Sequence, residues 1–368
     1  MAVPASPLRT ADLPGTGGVL RSRDEDFVVE EIPAYGPSGE GEHVYVTIEK
    51  RDLTTFEVVR RIANALRVNP TDIGSAGLKD RHAITRQQLS LPRPVTPEQA
   101  LALELPGVRV LSAARHGNKL KTGHLHGNRF VLTLRQLDVP VAEAATRARA
   151  IFAALAAPPG VPNFYGEQRF GTHGDNAARG LALLRGERVS PPPRDGREAR
   201  MLLSSLQSQL FNTYLTSRLS DGLYARVIAG DLLTKPSGAM FASEDPALEQ
   251  ARLQAGEIAP TGPMFGSRMR APGPGTEAAA REDAILADAK VKREEFSRHR
   301  LMEGTRRALG VALGDTGVEE VAGEDALRIT FSLPAGAYAT VVAAEIMKIS
   351  RPGEPASTPL LHSGDSCT

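Results

Sequence analysis

Cysteine occurs once in the 368 residues, at Cys367 beside the C-terminus. That excludes an internal disulfide framework and any zinc site built on cysteine. No apolar run is long enough to span a bilayer. The first ten residues lack a basic stretch followed by an apolar one, so no signal peptide is expected and the default location is cytoplasmic. Other absences narrow the function. Gly74 to Lys79 fails as a P-loop, because the spacing is wrong and Asp80, not Ser or Thr, follows the lysine. His124 and His126 have no further His, Cys or carboxylate at ligand spacing, so no metal site is expected. There is no internal repeat. Net charge is nearly absent too, at +1, and does not advertise nucleic-acid binding.

What is present fits an ordinary soluble globular chain, with 41% hydrophobic and 24% charged residues. The length suggests two domains. The charge is unevenly spread. Residues 50–135 hold 15 Lys/Arg against 6 Asp/Glu, while residues 1–49 hold 3 against 9. A basic block of this kind, which includes Lys119 and Lys121, serves as a footprint for phosphates. Equally, the acidic N-terminal block balances it in space. Both readings stand on sequence alone.

Residues 1–15 are rich in Pro, Ala and Gly and read as disordered. Strands are expected at Phe27–Val29 and His43–Ile48. Thr54 and Glu57 form a capping box that opens a helix with Val59, Ile62, Ala63 and Leu66 on one face, stopped by Asn69-Pro70. Its other face carries Arg60, Arg61 and Arg67, read as solvated. Further strands are expected at 88–91, 109–115 and 130–134, then an Ala-rich helix at 141–156. Pro158-Pro159-Gly160 marks a boundary. Helices are expected at 198–219, 277–290 and 292–309, a strand at 327–333, a helix near 338–348, and a disordered tail from 351. Strand-rich, then helix-rich, then strand again suggests a helical-to-mixed domain inserted into a sheet-based one.

The stretch with most chemistry is Gly77-Leu78-Lys79-Asp80-Arg81-His82-Ala83-Ile84-Thr85-Arg86-Gln87. Asp80 lies between two cationic residues just after a small-residue turn, and nearby positive charge favours its ionised form. An ionised carboxylate suits a nucleophile better than a general acid. The plainer reading is a surface turn with solvated charges.

This stretch resembles the signature of the TruD family, the tRNA pseudouridine synthases of the D type. Four other blocks are similar to that family in its order: Asp26 to Glu31 with Gly39 to His43; Gly127-Asn128-Arg129-Phe130; Pro162 to Gly171; and Gln207 to Asn212. Phe164-Tyr165 reverses the expected aromatic order. The resemblance implies an α+β fold: a mixed or antiparallel sheet catalytic domain of pseudouridine-synthase type, carrying an inserted family-specific α/β domain. The corresponding boundaries are 1–157 and 309–350 for the catalytic domain, 158–308 for the insertion and 351–368 for the tail. It implies a tRNA uridine isomerase acting at uridine 13, with tRNA as partner and no cofactor. Asp80 becomes the catalytic carboxylate, and Phe27, Asn128 and Phe331 substrate contacts. A uridine taken from its stack needs an aromatic platform and a hydrogen-bonding partner. Arg21 occupies the place of a basic residue that pairs with the carboxylate; Lys79 and Phe130 are secondary candidates. By pattern alone Phe331, alternating with Leu327, Ile329 and Leu333, is a core residue. A non-catalytic RNA-binding or assembly factor with the same fold is the alternative. A glycosidase-like hydrolase would need a second acid, and none of matching quality stands out.

Overall fold

The computed structural model describes residues 6–348. The chain opens with β1 (Gly17–Val19), β2 (Phe27–Pro33) and β3 (His43–Lys50). Helix α1 (Thr55–Leu66), β4 (Gly74–Ser75), β5 (Ile84–Leu91) and α2 (Pro97–Leu101) follow. Next are β6 (Val108–His116), β7 (Leu125–Leu137) and α3 (Val141–Ala156). A helix-rich stretch comes after β8 (Val161–Pro162): α4 (Asn176–Leu184), α5 (Gly196–Ser220), β9 (Leu232–Thr234) and β10 (Met240–Ala242). It continues with α6 (Pro246–Gln254), β11 (Ala259–Met264), α7 (Glu277–Asp288), β12 (Thr305–Ala308) and β13 (Gly310–Val311). The chain then adds β14 (Gly314–Glu320), β15 (Ala326–Pro334) and α8 (Ala339–Met347).

The main sheet runs β14-β15-β7-β2-β5-β3-β6, with β1 on β7 and β4 on β5. Its pairings are antiparallel except β2 with β5, which is parallel. The expected α+β class with a mixed sheet is therefore the one observed. Strands from both ends of the sequence meet in it, since β7 pairs β15 along nine residues, Ala326 on Arg135 through Pro334 on Gly127. Between them, β10-β9-β11-β12 form a separate sheet.

Alternation explains the packing. Leu132 and Leu134 on β7 and Leu327, Ile329 and Phe331 on β15 face one way, and α3 and α8 cover them. The alanines Ala144, Ala145 and Ala148 of α3 are fully buried, so this helix lies close against the sheet. At the other end, α1 covers Val44, Val46, Ile48 and Leu89. Its capping box forms as expected, with Thr54 and Glu57 exchanging bonds. Val58, Ile62 and Ala63 are its buried residues; Val59 and Leu66 sit at the margin. A third core gathers around Leu203, Leu206, Leu210 and Tyr214 of α5.

Two expectations change. Residues 6–15 are tied down: the Arg9 guanidinium donates to the Ala157 carbonyl at 2.8 Å, and Thr10 donates to buried Glu345 through its N–H and its hydroxyl. Partners more than 100 residues away leave no mark on local composition. The second concerns 292–309, where a helix was expected. Instead a 3-10 turn (Arg293–Arg298) leads to β12, which pairs β11. Arg306 is buried, pairing with Glu282 and donating to the Thr261 carbonyl at 2.8 Å, so its charge does not belong to a solvated helix face. Gly304 and Gly266 pass so closely that a Cβ on either would overlap the other's backbone, which fixes the turn into β12. The tail from 351 lies outside the described residues.

Candidate active site

Asp80 stands on the loop between β4 and β5, and side chains from two neighbouring elements, α1 and β3, hold that loop. Thr55 at the start of α1 accepts the Lys79 N–H at 2.9 Å and donates to Gln87 Oε1 at 3.0 Å. Arg81 pairs with Glu57, the same carboxylate that closes the α1 capping box. Lys50, the last residue of β3, donates to the Asp80 carbonyl at 2.6 Å. Lys50 is fully buried, and burial pulls its ammonium down from 10.5 to about 8, with Asp80 opposing that shift.

The electrostatics of Asp80 therefore differ from the sequence expectation. Its chain neighbours turn away to other acids: Lys79 Nζ lies 2.7 Å from Glu31 Oε2, and Arg81 meets Glu57. The charge that reaches the Asp80 carboxylate is Arg21, whose Nη2 lies 3.7 Å from Oδ2. Gln168 Nε2 donates to the same oxygen at 3.2 Å. The Asp80 side chain remains half exposed. Arg21 adopts a φ of +64°, in the left-handed region that costs a non-glycine residue roughly 1–2 kcal/mol. Its guanidinium rests 4.0 Å above the centre of the Phe27 ring.

A cleft opens beside this carboxylate. Arg21, Phe27, Lys79, Asp80, Asn128 and Phe130 all line it, together with Thr85, Gln168 and Tyr338. Strand register explains the convergence. Asn128 and Phe130 of β7 lie opposite Glu31 and Val29 of β2, and Thr85 of β5 is flanked by Val29 and Lys50. Asn128 Oδ1 and Thr85 Oγ1 are buried and have no hydrogen-bond partner among the described residues, an unusual state for such atoms. Burial raises the Tyr338 phenol above its ordinary value, so it keeps its proton at neutral pH and can donate. Among the described residues that line the cleft, Asp80 is the one carboxylate, whereas a glycosidase uses a pair.

Phe331 is not brought to the cleft. It is fully buried behind Phe130, ring centroids 5.4 Å apart and stacked, with Phe152 at 6.0 Å on the other side. Phe130, not Phe331, is the ring of this stacked pair that lines the cleft. His124 meets the Tyr35 hydroxyl, and among the described residues no cluster of three metal-binding side chains occurs.

Sequence reasoning missed Lys50, Thr85, Gln168 and Tyr338. Lys50 left a signal, since it continues the buried alternation of Val46 and Ile48. A lysine in phase with core positions needs a special partner. Gln168 lies inside the block Pro162 to Gly171, but an uncharged amide in an exposed turn carries no local mark of a role.

The cleft thus joins a half-exposed carboxylate, the aromatic rings of Phe27 and Phe130, and the buried polar atoms of Asn128 and Thr85. Residues 6–190 and 196–346 match the family described as tRNA pseudouridine synthase D (TruD). A tRNA pseudouridine synthase D of Anaeromyxobacter dehalogenans is 48% identical over 347 residues, covering 93% of this chain and 96% of that protein. One from Thermus thermophilus is 44% identical over 344 residues, covering 93% and 92%. A solved Methanosarcina mazei structure assigned to tRNA pseudouridine synthase D shares the fold, with a TM-score of 0.73 at 24% identity over 95% of this chain and 99% of that one. The chain belongs to the tRNA pseudouridine synthase D family.

Proposed function

We propose that this protein isomerises uridine to pseudouridine in tRNA, at uridine 13, with Asp80 as the catalytic carboxylate and without a cofactor. The observation that carries the reading is the half-exposed Asp80 carboxylate at the mouth of a cleft walled by Phe27 and Phe130. The reaction breaks the bond from C1′ to N1, turns the base and joins C1′ to C5. The hydrogen on C5 leaves and N1 takes up a proton. Asp80 either attacks C1′ or removes a proton from C2′, and both roles need an ionised, positioned oxygen. Phe130 offers the base a ring face. Asn128 Oδ1 is free to accept from the uracil N3–H, and Thr85 Oγ1 is a second unpaired group for the base edge. Residues 158–308 are read as the inserted family-specific domain, and 1–157 with 309–350 as the catalytic domain. Release of tritium from C5-labelled uridine in transcribed tRNA tests the reading. Stoichiometric release with pseudouridine at position 13, unaffected by a chelator, is expected. tRNA binding without release would instead leave a non-catalytic RNA-binding factor.

A further inference from the structure

Asp80 belongs to the strand-rich first part of the chain, yet among the described residues the one side-chain hydrogen bond to its carboxylate comes from Gln168, in the stretch after β8. Gln168 is itself exposed, but its neighbours are fixed on every side. The Tyr165 N–H and C=O are both bound by the Asn212 amide, each at 2.9 Å. Arg169 donates to Ser208 Oγ at 3.1 Å and to Ser204 Oγ, and its carbonyl accepts from Ser205 at 2.9 Å. Gly166 packs against the Tyr338 ring so closely that a Cβ there would lie 2.8 Å from it. Helix α5 and α8 thus hold the short 3-10 turn Glu167–Phe170 and aim Gln168 at Asp80.

We propose that Gln168 is a positioning residue for Asp80: its amide holds Oδ2 so that Oδ1 is the oxygen presented to the substrate. This rests on the proposed isomerase reading. Arg21 and Gln168 converge on Oδ2, which leaves Oδ1 without either partner. A neutral amide fixes the direction of the carboxylate and adds no second charge to weaken it as a nucleophile or base. The inserted stretch thereby completes the reacting group as well as extending the surface.

Single-turnover isomerisation at saturating tRNA, followed against pH, tests this in Gln168→Ala and Gln168→Glu. An exposed side chain can be replaced without loss of the fold, and melting temperatures check it. Both variants are expected to lose at least tenfold in rate with tRNA dissociation constants within twofold of wild type. In Gln168→Glu, where a like charge then faces Asp80, the acid limb of the pH–rate profile should move to higher pH. Rates within twofold of wild type, an unmoved acid limb in Gln168→Glu, or a loss confined to tRNA affinity would each overturn the proposal. A wild-type protein that makes no pseudouridine would sink the isomerase reading itself. An active wild type beside unaltered variants would sink only the role of Gln168.

Discussion

Replacing Asp80 with Asn keeps the shape of the side chain and removes its charge. Isomerisation should vanish while tRNA affinity falls by less than tenfold, under about 1.4 kcal/mol. Turnover near wild type in a single-turnover assay would remove Asp80 from the mechanism. Lys50 beneath it carries a pH signature. The unfolded chain keeps the Lys50 proton up to 10.5, the folded chain only up to about 8. Between those values the unfolded state binds more protons, so this group makes stability rise with pH. Lys50→Met lacks the effect. Denaturant unfolding of both proteins should therefore show the wild type gaining on the variant as pH rises from about 8 to 10.5. Parallel curves would mean that the Lys50 ammonium is solvated. Phe331 belongs to the core by position, and Phe331→Ala should cost roughly 3–5 kcal/mol of stability. A variant that melts like wild type but turns over slowly would return the ring to the cleft. The alternation with Leu327, Ile329 and Leu333 points to core, as its burial does, and the substrate contact that the resemblance implies is what the turnover of this variant tests.

Among the elements, α1 is the one whose start does two jobs. Its capping box was legible because Thr54 and Glu57 lie three residues apart, and the bonds that stabilise a helix start are local. Its second job was not legible. Thr55 binds the Asp80 loop and Gln87, and Glu57 binds Arg81, all contacts fixed by where α1 packs on the sheet. Thr55→Val keeps the volume and leaves the Lys79 N–H without its acceptor. Loss of that bond should cost about 1–3 kcal/mol in denaturant unfolding, and turnover should fall with it because the Asp80 loop loosens. Unchanged turnover at full folding would show that Lys50 and the Arg81 pair hold the loop alone. The same distinction between local and distant causes explains the misread stretch 292–309. Its charges suggested an exposed helix, whereas Arg306 finds Glu282 and Thr261 only after β12 has paired with β11.

At the scale of the whole molecule, the basic block of residues 50–135 and the acidic block of residues 1–49 meet across the main sheet. Glu25 pairs with Arg51, Asp26 with Arg135, Glu30 with Arg86, and Glu31 with Lys79, while Glu49 takes Arg86 and Arg109. Sequence left the choice between internal pairing and a phosphate footprint open, because charge counts carry no positions. The structure divides the block between the two. Cations with an acid partner are poor phosphate ligands, since RNA would have to displace that partner. Lys121 has no acid partner among the described residues, and Lys119 reaches only the Thr71 carbonyl, at 2.7 Å. Arg60 and Arg67 on the outer face of α1 also lack one. Arg61 and Arg115 likewise reach only carbonyls, those of Pro106 and Gly41, so six solvent-accessible cations of the block have no acid partner among the described residues. Each one that contacts a phosphate adds about one unit to the slope of log affinity against log salt. Lys121→Ala should therefore lower the slope of tRNA binding by about one, with the rate at saturation unchanged. Arg51→Ala, which removes an equal charge already committed to Glu25, should leave the slope where it was. Titrations of both variants over a range of salt decide it. Equal effects from the two would mean that tRNA senses only the summed charge, and that the pairing across the sheet does not select which cations bind.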